Sequence, residues 1–103
     1  MQARQLNWVF GALADPTRRA ILASLRGVGA PVHALARNFK MSRPAVSKHL
    51  AVLRGAGLVR EQRRGRENVY SLDRDALAVA HAWLGEFWRE RLSALRRLAE
   101  ETE

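Results

Sequence analysis

The sequence predicts a mainly α-helical domain with one small β-hairpin, which follows the fourth of five helices. Three observations support this fold class. Apolar residues recur at helical spacing along most of the 103 residues. Asp15, Ser42 and Asp73 each precede such a stretch, where a polar side chain can cap a helix. Two short segments with strand-like alternation flank a basic tip that contains glycine, which is typical of a hairpin.

Composition limits the class of protein. Hydrophobic residues make up 48% of the chain and glycines number seven, so we expect one folded domain spanning residues 1–103. Cysteine is absent, which excludes disulfides and thiolate chemistry and is consistent with a reducing compartment. No stretch approaches the roughly 20 apolar residues that span a bilayer. We therefore expect a soluble, cytoplasmic protein with no membrane partner.

The formal charge is +8, and one segment carries nearly all of it. Residues 40–66 hold eight Lys or Arg side chains and a single acid, Glu61, whereas the rest of the chain holds ten Arg and nine acids. A basic excess concentrated in one segment is typical of a surface that binds a polyanion. A solvated basic face retained for solubility is the alternative.

The first two helices are separated by an aspartate and a proline. The first is a short amphipathic helix over residues 6–13. Asp15 caps the second helix, Pro16 presets its first φ angle, and Gly27 and Gly29 end it. The apolar positions are Leu6, Val9, Phe10 and Leu13 in the first helix, and Ile21, Leu22 and Leu25 in the second.

Two further helices follow in close succession. Pro31 opens the third, and after a break of a few residues Ser42 caps the fourth, which Gly55 and Gly57 stop. The inward residues are Leu35, Ala36 and Phe39 in the third helix, and Val46, Leu50 and Leu53 in the fourth. The opposite face of the fourth helix carries Arg43, Pro44, Ser47, Lys48, Ala51 and Arg54.

The last third of the chain predicts a hairpin and then a long helix. Residues 58–63 and 68–72 read as strands around a basic tip at residues 64–67. Asp73 caps a final helix that runs from about residue 74 to about residue 99.

The order of these parts predicts a helix-turn-helix over residues 32–55. In such a unit the second helix presents its N-terminal half to base edges in the major groove of duplex DNA. Arg43 can read a guanine through O6 and N7, Ser47 can contact a base or a phosphate, and Lys48 is better placed for a phosphate. The set expected in the major groove is Ser42, Arg43, Pro44, Ser47 and Lys48.

The hairpin over residues 58–72 is expected to act as a wing beside the duplex. A flexible arginine-rich tip would enter the minor groove or clamp nearby phosphates, which adds affinity but little sequence discrimination. The set assigned to phosphate and wing contacts is Lys40, Arg54, Arg63, Arg64, Gly65 and Arg66. The sequence therefore predicts a winged helix-turn-helix that binds double-stranded DNA.

Three successive strings resemble signatures of the ArsR-type winged helix-turn-helix regulators. They are ALADPTRRAILASL, LARNFKMSRPAVSKHLAVLRGAGLV and RRGRENVYSL, and the resemblance covers about residues 10–72. It implies a homodimer whose first and last helices pack against those of the partner, and repression by occupation of a palindromic operator, often that of its own gene. By motif position it places Ser42, Arg43, Pro44, Ser47, Lys48 and His49 in the recognition helix and residues 63–67 in the wing.

The chain departs from the metal-sensing members that it resembles. Those use a cysteine pair near the third helix, or Asp, His and Glu ligands in the last helix. Here the third-helix region has no thiol, and the last helix holds one histidine, His81, with Glu86 the nearest following acid. Because zinc needs three or four ligands, we expect no metal and no cofactor. The metal-free subgroup that begins ALADPTRRAIL is more similar.

Apolar residues of the last helix fall on two adjoining faces. A surface helix needs only one apolar stripe, so one face is assigned to the protomer's own core and the other to a second chain. The first face holds Leu77, Leu84, Trp88, Leu92 and Leu95, and the second holds Val79, Trp83 and Phe87. The predicted dimer interface, within segments 1–14 and 74–99, comprises Leu6, Trp8, Val9, Trp83, Leu84, Phe87, Trp88, Leu92 and Leu95.

Several polar residues keep two interpretations. His49 is expected to be a partly buried, hydrogen-bonded residue more than a base reader. Arg18 and Arg19 have two interpretations. They either lie in solvent or form salt bridges within the protein, or they contact a DNA phosphate. Tyr70 is expected to pack within the hairpin and not to stack on a base. The other two histidines are interpreted as surface or interface residues.

The chain shows no sign of an enzyme, because it has no nucleophile elbow, no glycine-rich loop after a strand and no cluster of acids. The competing function is a winged-helix module that contacts another protein without specific DNA binding, which would not need the basic stripe. Activation in place of repression is the second alternative. A small-molecule effector is left open, with the apolar dimer interface as one place for it.

Overall fold

The computed structural model describes residues 3–102, which form six α-helices and three β-strands. In chain order they are α1 (Ala3–Leu13), α2 (Pro16–Ser24), β1 (Ala30–Pro31), α3 (Val32–Phe39), α4 (Arg43–Gly55), β2 (Val59–Arg64), β3 (Glu67–Leu72), α5 (Arg74–Gly85) and α6 (Arg89–Glu101). The predicted mainly helical fold with a hairpin after the fourth helix is confirmed. The predicted ranges 1–14 and 1–103 also include residues 1, 2 and 103, which lie outside the described residues.

Three predicted helix caps are confirmed. Oδ2 of Asp15, Oγ of Ser42 and Oδ1 of Asp73 each accept a hydrogen bond from a backbone N–H two or three residues ahead, at 2.9, 3.2 and 3.0 Å. These bonds satisfy N–H groups that the first turn of a helix leaves unpaired, and they start α2, α4 and α5 where the sequence predicted.

One hydrophobic core joins α1 to α5 and the base of the hairpin. The buried stripe predicted for α4 is confirmed, because Val46, Leu50 and Leu53 are each fully buried. Leu35 and Ala36 of α3 are also buried, with Phe39 half buried beside them. The largest fully buried side chains are Ile21, Leu25, Leu35, Leu50, Leu53, Leu58, Val9 and Val46.

The sheet has three antiparallel strands in the order β1-β3-β2, one more than the hairpin predicted. The added strand, β1, pairs Ala30 with Tyr70 and Pro31 with Val69. A strand of two residues shows no alternation in the sequence, and proline is tolerated because β1 lies at an edge. Pro31, predicted to open the third helix, therefore belongs to β1, and α3 begins at the next residue.

The hairpin register places the tip one residue away from the prediction at each side. Pairing runs from Val59 with Leu72 to Arg64 with Glu67, so only Gly65 and Arg66 form the turn. Gly65 has a φ of 60°, and it is the first of the two turn residues. A positive φ at this position alone is the pattern of a type II′ turn, which matches the twist of the flanking strands.

The prediction of one final helix over residues 74–99 was wrong. α5 ends at Gly85, and the N–H groups of Glu86, Phe87 and Trp88 donate to carbonyls three residues back before α6 begins. Glycine is a poor helix former, which explains why the chain tightens here. Within residues 3–102, no helix combines the length and the apolar content needed to cross a lipid bilayer.

The predicted contact of the last helix with the protomer core is confined to α5. α5 buries Ala76 and Ala80 against the core, with Leu77 packed beside them, whereas Leu84 and Trp88 are exposed. α6 has no buried residue. The described chain is accordingly long for its size, with extents of 59 × 31 × 24 Å.

Val9 does not belong to a dimer interface as predicted. Its exposed fraction is 0%, so it has no surface to offer a second chain and instead forms part of the protomer core. Leu6, on the same helix, is half buried against that core. Trp8 remains exposed.

Candidate nucleic-acid interface

The turn between α3 and α4 depends on Lys40. Its backbone is left-handed, with φ 52° and ψ 46°. The N–H of Lys40 donates to the carbonyl of Arg37 at 3.3 Å, and the N–H of Met41 donates to that of Ala36 at 3.0 Å. This pair of bonds closes the end of α3 as a Schellman motif. Lys40 thus both makes the tight turn and presents an exposed positive charge next to the start of α4.

The start of α4 is built for an anion. Ser42 caps it through Ala45, and Pro44, in the first turn, contributes no further unpaired N–H. Residues 42–44 are exposed, so the positive end of the helix dipole faces solvent beside Arg43. A helix start of this kind attracts a phosphate oxygen.

The face of α4 that the sequence predicted to be exposed is exposed in the structure. Arg43, Ser47 and Lys48 are all exposed, opposite the buried stripe. In the part of the chain that the structure describes, neither Arg43 nor Lys48 takes part in an ion pair. These two cations are therefore uncompensated on the face expected to meet DNA. The other members of the face, Pro44, Ala51 and Arg54, are also exposed.

Arg54, at the end of α4, is engaged within the protein. Its Nη1 lies 2.6 Å from Oε1 of Glu61 on β2. α4 ends in a second Schellman motif, in which Leu58 N–H donates to the carbonyl of Leu53 at 2.9 Å and Gly57 takes the left-handed position with φ 78°. This turn brings β2 back toward the last turn of α4. The sequence assigned Arg54 to a phosphate and did not predict its partner.

The wing tip carries the other predicted cations. Nε of Arg63 donates to the carbonyl of Gly65 at 2.9 Å, and Nη2 of Arg64 lies 3.4 Å from Oε1 of Gln62. Both partners are neutral, so the positive charges remain available. Arg66 is exposed. By contrast Arg60, lower on β2, lies 3.8 Å from Oδ2 of Asp73.

Glu61 also faces a residue of the neighbouring strand of the wing. It is the cross-strand partner of Tyr70. Burial raises the pKa of the Tyr70 hydroxyl above its ordinary value, and the nearby Glu61 carboxylate raises it further. Tyr70, which was predicted to pack within the hairpin, is half buried and packs against the core.

A second contact links α3 to the wing. Nε2 of His33 lies 3.1 Å from Oε1 of Glu67, close enough for an ion pair but not aligned as a hydrogen bond. His33 is thus a half-buried residue whose Nε2 faces the first residue of β3. Within residues 3–102, no three His, Cys, Asp or Glu side chains are grouped so that they could hold a metal ion.

Arg18 and Arg19 have structural contacts that the sequence did not resolve. Nε of Arg18 donates to the carbonyl of Ala12 at 2.8 Å, and Nη1 of Arg19 donates to that of Leu13 at 2.7 Å. These carbonyls end α1 and have no partner within the helix, so the two arginines cap it. The sequence signal for these caps is that both arginines lie about one turn into α2, directly after a tight connection from α1.

Asp15 has a clear electrostatic role. The pKa of its carboxyl lies below the ordinary value, chiefly because the N–H of Arg18 donates to the carboxylate. The charges of Arg18 and His49 lower it as well. His49 is half buried, as predicted, but its side chain makes no hydrogen bond within residues 3–102, so that part of the prediction is not found.

Most residues predicted for the dimer interface are exposed. Trp83 packs edge-on against Phe10 of α1, with ring centroids 5.6 Å apart, and against Phe87 at 4.8 Å. Leu92 and Leu95 are each 56% exposed, and the sequence missed Leu98, which is equally exposed. The exposed members of the predicted set are Trp8, Trp83, Leu84, Phe87, Trp88, Leu92 and Leu95.

The fold and this surface define a winged helix-turn-helix of the kind that DNA-binding regulators use. A helix-turn-helix domain family matches residues 13–62. The chain is 44% identical to the HTH-type transcriptional regulator Rv2034 of Mycobacterium tuberculosis, over 86% of this chain and 83% of that protein. It is 37% identical to the transcriptional repressor SdpR of Bacillus subtilis, over 80% of this chain and 91% of that protein.

Solved structures agree with these relatives. A crystal structure of an ArsR family transcriptional regulator superposes with a TM-score of 0.79 at 36% identity, covering 90% of this chain and 96% of that one. The homodimeric winged helix-turn-helix DNA-binding domain of a possible ArsR-family regulator from Mycobacterium bovis gives a TM-score of 0.69 at 25% identity, covering 96% and 82%. The chain belongs to the ArsR family of winged helix-turn-helix transcriptional regulators. Because this family consists of regulators, the prediction that the protein is not an enzyme is confirmed.

Proposed function

We propose that the protein is a homodimeric repressor that binds double-stranded operator DNA through α4 and the wing. The observation that carries the proposal is the exposed face of α4, which begins at a capped helix start and bears two cations, Arg43 and Lys48, with no acid paired to them in the described structure. Such a face has no stabilising partner within the protomer. Duplex DNA offers both the phosphates and the base edges that it lacks.

The division of labour within the interface follows from chemistry and position. Arg43, in the first turn of α4, reads a guanine, and Ser47 one turn later contacts a base or a phosphate. Lys40 and Lys48 bind phosphates on either side. Arg64 and Arg66 at the wing tip hold the neighbouring minor groove or its phosphates. Arg54 contributes less than the sequence predicted, because Glu61 already compensates its charge.

The proposed dimer uses α1, α5 and α6. The exposed leucines of α6 and the tryptophans Trp8 and Trp88 form apolar surface of the kind that marks a protein–protein interface. A second copy covers them across a two-fold axis. The dimeric neighbour from M. bovis supports this assembly. A two-fold dimer sets its recognition helices about 34–36 Å apart, which matches a palindromic site.

Repression is proposed to be steric. The described part of the chain is taken up by the winged helix-turn-helix and the helices that would form the dimer, so occupation of a promoter is the simplest action open to it. The named repressor SdpR among the relatives supports this direction of control. The operator is proposed to include one upstream of the protein's own gene, and the site of action is the cytoplasm.

The test is DNA binding by the purified protein to the fragment upstream of its own gene, followed by footprinting. We expect a protected palindrome, and an affinity that falls steeply with salt with a log–log slope of about −0.9 for each phosphate neutralised. A shuffled fragment of the same length is the control. A flat salt dependence, or equal affinity for both fragments, would show that the protein is not a specific DNA-binding repressor.

The dimer is tested separately by sedimentation. Leu92→Glu/Leu95→Glu is expected to yield a monomer at micromolar concentration with the spectrum of a folded protein. Val28→Glu is the matched control, since Val28 is 85% exposed on a loop far along the chain from α6. A wild-type monomer at that concentration would contradict the dimer.

The alternative is a winged-helix module that binds another protein. It differs from the proposed function in one measurement, because a protein-binding module has no reason to bind duplex with a steep salt slope. No specific observation of the described structure favours it.

A further inference from the structure

An open cleft of about 360 Å³ lies on the side of the protomer formed by α2, the end of β3 and the start of α5. Its floor is apolar and comes from four leucines of separate elements. Leu22 and Leu72 are buried in the core, and Leu13 and Leu77 are half buried against it. The volume is near the lower end of the range for small-molecule sites.

Three arginines form the rim of this cleft, Arg19, Arg26 and Arg74. Each uses one nitrogen on a backbone carbonyl: Arg19 on Leu13 at 2.7 Å, Arg26 on Ala23 at 3.2 Å, and Arg74 on that of Arg26 at 3.2 Å. These bonds hold the guanidinium groups at the rim and leave most of their N–H donors free. No acid forms an ion pair with any of the three within residues 3–102.

We propose that this cleft binds a small amphipathic carboxylate, with its apolar body on the leucine floor and its carboxylate on the arginine rim. Three uncompensated guanidinium groups at the edge of an apolar surface match an anionic head joined to an apolar tail, and arginine pairs with carboxylates through two parallel hydrogen bonds. A DNA phosphate would use the rim but has no group for the floor. The geometry therefore favours a free amphipathic carboxylate over the DNA backbone.

The cleft lies where the start of α5 is joined to the end of α2, so a bound ligand would affect this junction. Arg74 is the first residue of α5, and its bond to the carbonyl of Arg26 joins α5 to the end of α2. A carboxylate held by the rim would strengthen this junction. α5 continues into the exposed apolar residues near α6, so the ligand would bias the orientation of that end of the molecule relative to α4. The proposed site does not require that the protein bind DNA.

The first test is a titration of the full chain with octanoate, followed by amide chemical shifts. We expect saturable shifts at residues around Leu22, Leu72 and Leu77. Octanol and octylamine carry the same apolar chain with a neutral and a cationic head, and we expect each to bind at least about tenfold more weakly than octanoate. Shifts confined to α6, no saturation, or equal affinity of octanoate and octanol would overturn the proposal.

The second test removes charge from the rim. Arg19→Gln/Arg26→Gln is expected to weaken octanoate binding by about tenfold or more. Arg91→Gln/Arg97→Gln, which removes the same charge from α6, should leave it unchanged. Equal effects of the two double variants would overturn the site. So would unchanged octanoate binding in the rim variant together with a shallower salt slope for DNA, since the rim would then be a phosphate contact. Should the rim variant not fold, the comparison of the three wild-type ligands still decides.

Discussion

Nη1 of Arg54 lies 2.6 Å from Oε1 of Glu61, which joins the last turn of α4 to the first strand of the wing. Glu61 is the only acid in residues 40–66, and it forms an ion pair with one of the eight cations of that segment. Glu61 is also the cross-strand partner of Tyr70 on β3. One residue thus connects α4 to both strands of the hairpin.

Replacing this acid should strengthen binding to any duplex. In Glu61→Gln the guanidinium of Arg54 is released toward solvent, and if it then contacts a phosphate the salt dependence steepens by about 0.9 in log–log slope. The measurement is fluorescence anisotropy on random duplex across a range of salt concentrations. Glu90→Gln on α6 changes the net charge equally and should leave the slope unchanged. The same gain in both variants would show that only net charge matters.

Arg43 and Arg64 should differ in the kind of affinity they supply. Arg43→Ala is expected to cost about 1–3 kcal/mol on the operator and to relax preference at one base position, because a bidentate contact to guanine is lost. Arg64→Ala should weaken operator and random duplex alike. Binding to a panel of single-base operator variants measures both effects. Equal losses on operator and random DNA for Arg43→Ala would remove its base-reading role.

Two variants of Lys40 distinguish the effect of its strained backbone on stability from the effect of its charge on DNA binding. Its left-handed conformation is unfavourable for a residue with a Cβ, so Lys40→Gly should leave the free energy of unfolding no lower and raise it by up to about 1 kcal/mol. The same substitution should make the DNA salt slope shallower by about 0.9. Lys40→Gln is the control, since it loses the charge but keeps the strain. Urea unfolding in which the glycine variant is the less stable of the two would contradict this account.

Gly29 is needed for the close approach of the chain to β3. A Cβ at this residue would lie 2.7 Å from the carbonyl oxygen of Tyr70, a backbone atom that cannot move without disturbing the sheet. Gly29→Ala should therefore lower the free energy of unfolding by about 1–3 kcal/mol. At Gly27 a Cβ meets nothing within 4 Å, so Gly27→Ala is the matched control and should be near neutral. Equal unfolding midpoints for the two variants would refute the steric argument.

The lowered pKa of Asp15 predicts that its contribution to stability is lost in acid. Its pKa is lower in the folded chain than in the unfolded chain, so the folded state binds fewer protons at this site. The stabilisation is present above the unfolded pKa of about 3.9 and is lost as the pH falls through the folded value. Asp15→Asn keeps a capping oxygen but does not titrate. Urea unfolding at pH 7 and pH 3 should show the advantage of wild type over this variant shrinking at pH 3, and an unchanged advantage would count against the capping charge.

The sequence by itself determined the elements whose causes are local. Asp15, Ser42 and Asp73 reach N–H groups two or three residues away, so the caps of α2, α4 and α5 could be predicted from neighbouring residues. The spacing of Val46, Leu50 and Leu53 likewise determined which face of α4 is buried and hence which face is exposed. Both inferences depend on helical geometry alone.

Only the tertiary structure decided the features that join distant segments. The pairing of Glu61 with Arg54, the edge strand β1, and the burial of Val9 in the core have no signature in the local pattern. The arginine-rimmed cleft is of the same kind, because Arg74 reaches the carbonyl of Arg26, 48 residues earlier in the chain. Such contacts depend on how the elements pack together, and packing is set by the shapes of all the buried side chains at once.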